Sequence, residues 1–462
     1  MDLLFFHKHG PCTIATGELM TNEKTDLLYK KQNTEVRELF LHGLEEVTHG
    51  KIIKSSVSLS GDELVVCGRT YHLKELGKVW VFGSGKAAGH MAEALENILG
   101  SRVYDGIVIC PYGLKTGTTR IQQFEASHPV PDLNSHAATL ELIDVAGAVR
   151  ENDLVLFVLS GGSSSLLCLP PEEIELEDIR ELNRQLLRCG APIREMNRIR
   201  KSVSGVKGGK LRDAFGKAIV EVLAVSDVPD NDPAVIGSGP LVHDPVPSEE
   251  ALRLLEKYQI DKKVPRSIIT FLEKDDRPDV ALPELKTCFN ILASVEKVAE
   301  GIREEAEKRG YHTWMNYGFV TGEARKVARQ IAGKAFKVLE NGDPVSLPAA
   351  LIFYGETTVT VTGSGKGGRN QEMALAMALA IEGKRGITFL SAGTDGRDGE
   401  TNAAGAVCNS MTAAGAREKG TDPESYLENN DSWNFFRKTD GLVITGVTGN
   451  NLMDIQIVLI GK

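Results

Sequence analysis

At 462 residues the chain is long enough for two or three domains of ordinary size. Its 42% apolar and 25% charged content is that of a folded globular protein, and a formal net charge of −10 argues against nucleic acid or anionic lipid as the main partner, because both select a basic surface. No run approaches the ~18 consecutive apolar residues of a bilayer span, so no membrane partner is expected.

In chain order, residues 1–19 read as a disordered extension ahead of Met20; they lack the basic start and sustained apolar core of a secretory signal. Residues 22–48 carry helical spacing, and "SSVSLSGDELVVCG" holds short β-rich pieces. From Val79 a theme recurs: an apolar run, a Gly- or Ser-rich turn, then a helix. It appears in "VWVFGSGKAAGHMAEALENIL" and "LVLFVLSGGSSSLLCLP", with a third strand, "IVEVLAVSDVPDNDP", leaving through prolines and aspartates. The pattern changes between about 245 and 285, which divides a unit 20–265 from a unit 266–462, with the last ~40 residues able to return to the first. The second unit opens on the strand "CFNILAS" and the helix "VEKVAEGIREEAEKRG". A hairpin-like pair, "LIFYGETTVTVTG", comes next, and then "TGSGKGGRNQE", "ITFLSAGTDG" and "DIQIVLIG". Buried strands alternating with helices predict an α/β fold: two α/β domains with mostly parallel sheets, the larger N-terminal one Rossmann-like. Seven scattered cysteines with no CxxC pair indicate free thiols in a cytoplasmic protein.

The turns carry the chemistry. Gly83, Gly85 and Ala88, with Ser84 between the glycines, lie between a strand and a helix and satisfy a relaxed dinucleotide fingerprint, but the second strand ends in Cys110-Pro111 where a ribose-binding acid belongs. Lys86 inside the turn favours a phosphate or carboxylate; the alternative is a tight turn with a solvated lysine. Ser160, Gly161, Gly162, Ser163, Ser164 and Ser165 form a similar turn, where capping accounts for one hydroxyl and an anion would account for more. Asp227, Asp230 and Asp232 follow a strand's C-terminal end, where at least one can hold Mg2+ or act as a base; otherwise they are an Asx-rich turn. Of the seven cations between Arg194 and Arg212, most read as a solvated face and one or two as facing a crevice. His90, His128 and His243 read as isolated surface histidines. Gly365, Gly367 and Gly368, ahead of Arg369, read as an amide cradle for phosphate, with Lys366 and Arg369 as its cations; Asp395, Asp398 and Glu400 lie in another glycine-rich loop. Carboxylates, amides and cations without a covalent nucleophile suit phosphoryl transfer from a triphosphate with Mg2+.

Taken in order, "FGSGKAAGHMAEALE", "LSGGSSSLL", "MNRIRKSVSGVKGGKL", "SDVPDNDPAVIGSGP", "GETTVTVTGSGKGGRNQEMALA", "SAGTDGRDGETNAAGA" and "TGVTGNNLMDIQIVLI" resemble the class II glycerate kinase family with its C-terminal MOFRL domain, from about Glu35 to the end. The resemblance implies ATP- and Mg2+-dependent phosphorylation of D-glycerate, generally at the 2-hydroxyl, in an interdomain cleft of a monomer or homodimer. It carries the catalytic lysine to Lys86, the arginine to Arg369 and the aspartate to Asp227 or Asp232. From the residues themselves, Asp232 is expected to hold the metal and Glu356, Asn370, Glu372 and Asp395 to surround the substrate. The pattern is departed from at Ser163 (for glycine), at Thr357 and Val447 (for prolines), and in an aspartate turn one residue longer. The rival expectations are an NAD(P)H-dependent hydroxypyruvate reductase and a non-catalytic phosphometabolite-binding module.

Overall fold

A computed structural model describes residues 22–274 and 286–461; the extension expected over 1–19 lies outside them. The strands are β1 (Val57–Ser60), β2 (Glu63–Val66), β3 (Arg69–His72), β4 (Val79–Ser84), β5 (Val103–Asp105), β6 (Ile107–Pro111), β7 (Gln122–Ala126), β8 (Leu154–Leu159), β9 (Ile219–Val225), β10 (Thr287–Ala293), β11 (His312–Met315), β12 (Val320–Glu323), β13 (Ala349–Thr358), β14 (Ile387–Gly393), β15 (Gly405–Asn409), β16 (Leu442–Val443) and β17 (Asp454–Ile460).

The first large sheet is wholly parallel, in the order β10-β9-β8-β4-β6-β7 with β5 beside β4. Its apolar runs are continuous because both faces are covered. Val79 and Val81 enter one core while Trp80 and Phe82 enter another, and β8 repeats the alternation with Leu156 and Phe157. The second sheet is mixed, in the order β11-β13-β17-β14-β15-β16 with β12 beside β13; β17 runs antiparallel between β13 and β14. The expected α/β class in two units is what forms. One apolar cluster joins Val81, Leu156 and Leu223 of the first sheet to Ile352, Leu390 and Ile457 of the second, so a shared core sets how the two sheets face each other.

Three expectations change. The boundary at 265/266 is crossed in both directions: β10 completes the first sheet, while the helix Asn22–Glu46 serves the second, where Tyr29 accepts from the Gly386 amide (2.9 Å) and Arg37 donates to the Leu442 carbonyl (2.6 Å). The last strand does not return to the first sheet, since β17 is central to the second. The segment read as a hairpin-like pair is the single long strand β13.

A small antiparallel sheet, β1-β2-β3, is tied to the first sheet by a buried acid. Glu221, in β9, is 0% exposed and is held by Arg69 (Nε 2.6 Å, Nη2 2.8 Å), Asn290 (2.8 Å) and the Tyr71 hydroxyl. Arg69→Ala should cost about 2–3 kcal/mol in urea unfolding, below the full cost of an orphaned buried charge because the guanidinium is partly in water and two donors remain. A loss under about 0.5 kcal/mol would mean that the Arg69 contact does not tie the small sheet to the large one.

Candidate active site

The site is built at the carboxyl ends of the first sheet. In register, Ser84 of β4 lies beside Leu159 of β8, and Leu159 beside Ala224 of β9, so three turns leave the sheet side by side. The chain runs from β4 to β6 and β7 on one side, then returns to β8 and β9 on the other. The reversal opens a crevice between the Lys86 and Ser160 turns. The Lys86 amide donates to the Gly161 carbonyl (2.9 Å), and the Ser160 hydroxyl accepts from the Ala87 amide (3.0 Å). A Cβ on Gly161 would collide with the Asp227 carboxylate, so only glycine lets that acid approach the turn. Gly162, at φ 91°, lies where a Cβ would stand 3.1 Å from His128 Cδ2 and 3.3 Å from Lys86 Cγ.

Lys86, His128 and Asp227 therefore surround one glycine pair. Among the described residues, no hydrogen bond or ion pair engages the Lys86 ammonium. Burial pushes the Asp227 carboxyl above its usual range; Lys86 opposes the shift and Glu356 adds to it. Desolvation and the Lys86 charge push His128 down to about 4, although its edge reaches solvent.

The second sheet supplies the other half. Gly355 of β13 and Gly393 of β14 both pair with Asp454 at the start of β17, so Glu356 and Asp454 share one sheet edge. Arg369 opens the helix Arg369–Ala380 there and forks onto Asp454 (Nε 2.6 Å, Nη2 3.0 Å) while its Nη1 lies 2.7 Å from Glu356. Asp454 is fully buried, and the two carboxylates hold the guanidinium charged against its desolvation. Glu356 adds to the rise in the Asp227 pKa, so the Lys86–Asp227 pair of one unit is linked electrostatically to the Glu356–Arg369 pair of the other.

The glycine-rich loop before Arg369 presents only part of the expected cradle. Its first amides are taken by the protein: Gly363 bonds Asn430 Oδ1 (2.9 Å), Ser364 bonds Asn429 Oδ1 (3.0 Å), Gly365 bonds the Asn429 carbonyl (2.9 Å) and Lys366 bonds Asp431 Oδ1 (2.9 Å), whereas no acceptor among the described residues takes the Gly367 or Gly368 amide. Gly367 and Gly368 are glycines because Ser432 and Asp398 press on them. The helix amides of Asn370 (3.1 Å) and Gln371 (2.8 Å) are capped by Asp398. The Lys366 ammonium lies 4.3 Å from the Trp433 ring and does not join Arg369.

Other expected site residues are sorted in the same way. Ser163 is buried and donates to the Ser84 carbonyl (2.7 Å), so its hydroxyl, like that of Ser160, shapes the turn and is not offered to a ligand. Ser84 keeps a buried hydroxyl with no partner among the described residues. Asp232 accepts from its own turn's Ala234 amide (2.9 Å) with Arg194 at 3.9 Å, and Asp230 pairs with Arg194 at 3.2 Å, which leaves Asp227 as the aspartate beside Lys86. Glu372 is buried between Arg325 (2.6 Å) and Asn430 (2.8 Å), Asn370 accepts from Ser391 (2.6 Å), and Asp395 accepts from the Arg397 amide (2.9 Å).

Asp398 is pushed up to about 7, mainly by burial. Between the ordinary carboxylate range and that value, the unfolded chain releases this proton while the folded chain keeps it. Stability should therefore fall as pH rises from about 4 to 7. Asp398→Asn should flatten that slope in thermal melts; an unchanged slope would place the titration elsewhere.

Sequence reasoning passed over Asp454. His128 was read as a surface histidine, and it is exposed, although it lies against the Gly162 turn. Asp454 carried a usable signal: a lone carboxylate opening an otherwise apolar strand is rarely buried unpaired.

A parallel sheet with a charged crevice at its switch point, closed by a second unit that brings its own arginine, defines a two-unit α/β protein with an interdomain site. Profile comparison matches "Domain of unknown function (DUF4147)" over residues 35–273 and "MOFRL family" over 349–454. The chain is 40% identical over 413 residues to a D-glycerate 2-kinase of Thermotoga maritima, covering 89% of this chain and 97% of that protein. It is 38% identical over 420 residues to a glycerate 2-kinase of Pyrococcus horikoshii, covering 89% and 93%. A crystal structure of glycerate kinase from Thermotoga maritima superposes with a TM-score of 0.84 at 37% identity, over 94% of this chain and 100% of that one. The chain belongs to the class II glycerate kinase family with a C-terminal MOFRL domain.

Proposed function

We propose that this protein transfers the γ-phosphoryl group of ATP to the 2-hydroxyl of D-glycerate, giving 2-phospho-D-glycerate and ADP. The observation that carries the proposal is that Lys86 and Asp227 meet at the Gly161–Gly162 turn of one unit while Arg369 of the other is held by Asp454 and Glu356. The names of the relatives support glycerate as acceptor.

In this proposal the bond from the glycerate 2-oxygen to the γ-phosphorus forms as the bridging bond to ADP breaks. The hydroxyl proton passes to Asp227, which burial makes more basic than an exposed aspartate. Lys86, free of structural partners, and Arg369, fixed by Asp454, face the charge that spreads over the transferring group. The described residues form no group of three metal-ligating side chains, so magnesium would be held mainly by donor phosphate oxygens, with Glu356, an exposed carboxylate 2.7 Å from Arg369, able to supply one protein ligand. The ion would neutralise donor phosphate charge. Asp232, committed to its own turn, is less suited to hold it.

Incubation with D-glycerate, ATP and Mg2+, followed by phosphorus NMR, should show ADP and 2-phosphoglycerate. Formation of 3-phosphoglycerate would reject the regiochemistry. Oxidation of NADH by hydroxypyruvate with no ADP would reject the kinase.

A further inference from the structure

The cations between Arg194 and Arg212 are not alike. Arg194 pairs with Asp230, Arg198 with Glu250 and Asp244, and Lys201 with Asp244; Arg212 donates to the Gly216 (2.8 Å) and Ala218 (2.8 Å) carbonyls. Arg200 and Lys207, like Arg212, meet neutral oxygens, but they alone of these three line a cleft. Arg200 donates only to side-chain amide oxygens, of Asn183 (2.9 Å) and Asn197 (3.3 Å). Lys207, 6% exposed, donates to the Leu167 carbonyl (2.8 Å). Among the described residues, neither has a carboxylate within ion-pair distance.

Both line one narrow cleft, with Ser164 and Ser204 beside them and apolar walls such as Leu169 and Leu182. Burial pushes both below their usual values, Lys207 to about 8 with Arg200 adding to the effect. Two desolvated cations answered only by neutral oxygens lack negative charge, and a bound oxyanion would supply it. The cleft adjoins the candidate active site through one turn: Gly161 and Gly162 stand beside Lys86, and Ser164, two residues on, lines the cleft. Ser163 and Ser165 spend their hydroxyls on backbone carbonyls, whereas Ser164 shares a bond only with the Ser238 hydroxyl (2.9 Å).

We infer that the Arg200–Lys207 cleft is an oxyanion subsite that takes the carboxylate of the hydroxy-acid acceptor. The inference rests on the kinase reading above, in which Lys86 and Arg369 meet the donor phosphates. That division leaves the cleft for the acceptor's remaining charge, and the guanidinium fork of Arg200 matches a carboxylate.

Arg200→Gln and Lys207→Met should each raise KM for D-glycerate roughly tenfold or more, with KM for ATP within about twofold, as expected for a lost charged hydrogen bond to one substrate. Arg200→Lys should recover part of the loss. Melting temperatures in buffer alone report whether the variants fold. In a binding test without nucleotide, D-glycerate should raise the wild-type Tm and glycerol, which lacks the carboxylate, should not; Arg200→Gln should lose the shift. A folded Arg200→Gln that keeps both the D-glycerate KM and the Tm shift would overturn the inference. So would a rise confined to the ATP KM, which would make the cleft a nucleotide phosphate site. A wild type that releases no ADP would instead fail the kinase reading, while the Tm comparison still decides the subsite.

Discussion

Lys86→Ala should fold normally and lose about 10²–10³ in kcat, the ~3–4 kcal/mol that follows removal of one preorganised charge from a transition state. Folding should survive because the side chain holds nothing up. Its backbone amide makes the bond to Gly161, and no described residue pairs with its ammonium. A second effect has a definite sign. The Lys86 charge lowers the Asp227 pKa, so its loss should let that pKa rise and move the acid limb of the pH–rate profile to higher pH. The same charge helps hold His128 down to about 4, so His128 should titrate closer to its ordinary range in the variant. Circular dichroism and steady-state rates across pH test all of this. A variant with near-normal turnover would remove Lys86 from the chemistry.

Arg369→Ala should fail in both respects. Asp454 is 0% exposed and takes two hydrogen bonds from that guanidinium, so truncation leaves a buried charge unpaired at a cost of about 3–5 kcal/mol. Loss of activity in this variant alone would therefore be ambiguous. Arg369→Met combined with Asp454→Leu removes both charges and fills the space. Denaturant unfolding should show most of the stability restored, because buried pairs are often replaceable by apolar groups, whereas kcat should stay depressed by about 10²-fold or more. Recovery of turnover along with stability would make Arg369 a purely structural residue.

The first sheet was legible because its strands announce themselves. "VWVFGSGK" and "LVLFVLSGG" are buried on both faces, so they read as unbroken apolar runs ending in turns, and a parallel sheet collects such turns at one edge. Lys86 and Asp227 were legible for that reason. Sheet membership was less so, because hydrophobic pattern reports burial and not neighbours. Nothing in "CFNILAS" says that β10 pairs with β9, or in "DIQIVLIG" that β17 runs antiparallel between β13 and β14. The loop from Thr362 to Arg369 misled for a physical reason. Glycine-rich backbone bares amides to any acceptor that reaches it, and here Asn429, Asn430, Asp431 and Asp398 arrive from later in the chain. That packing takes the amides from Gly363 to Lys366 and caps the first turn of the Arg369 helix, so the motif positions a side chain, and of the expected cradle only the Gly367 and Gly368 amides stay without an acceptor among the described residues.

The central claim is that two units contribute one charge each to a single transferring group. A double-mutant cycle on kcat/KM with Lys86→Ala and Arg369→Met, each in the Asp454→Leu background, tests it most directly. Joint action on one phosphoryl group predicts coupling: the double variant should lose far less than the product of the two single losses. Losses that multiply in full, or a single variant with no loss, would mean the two cations do not serve the same group.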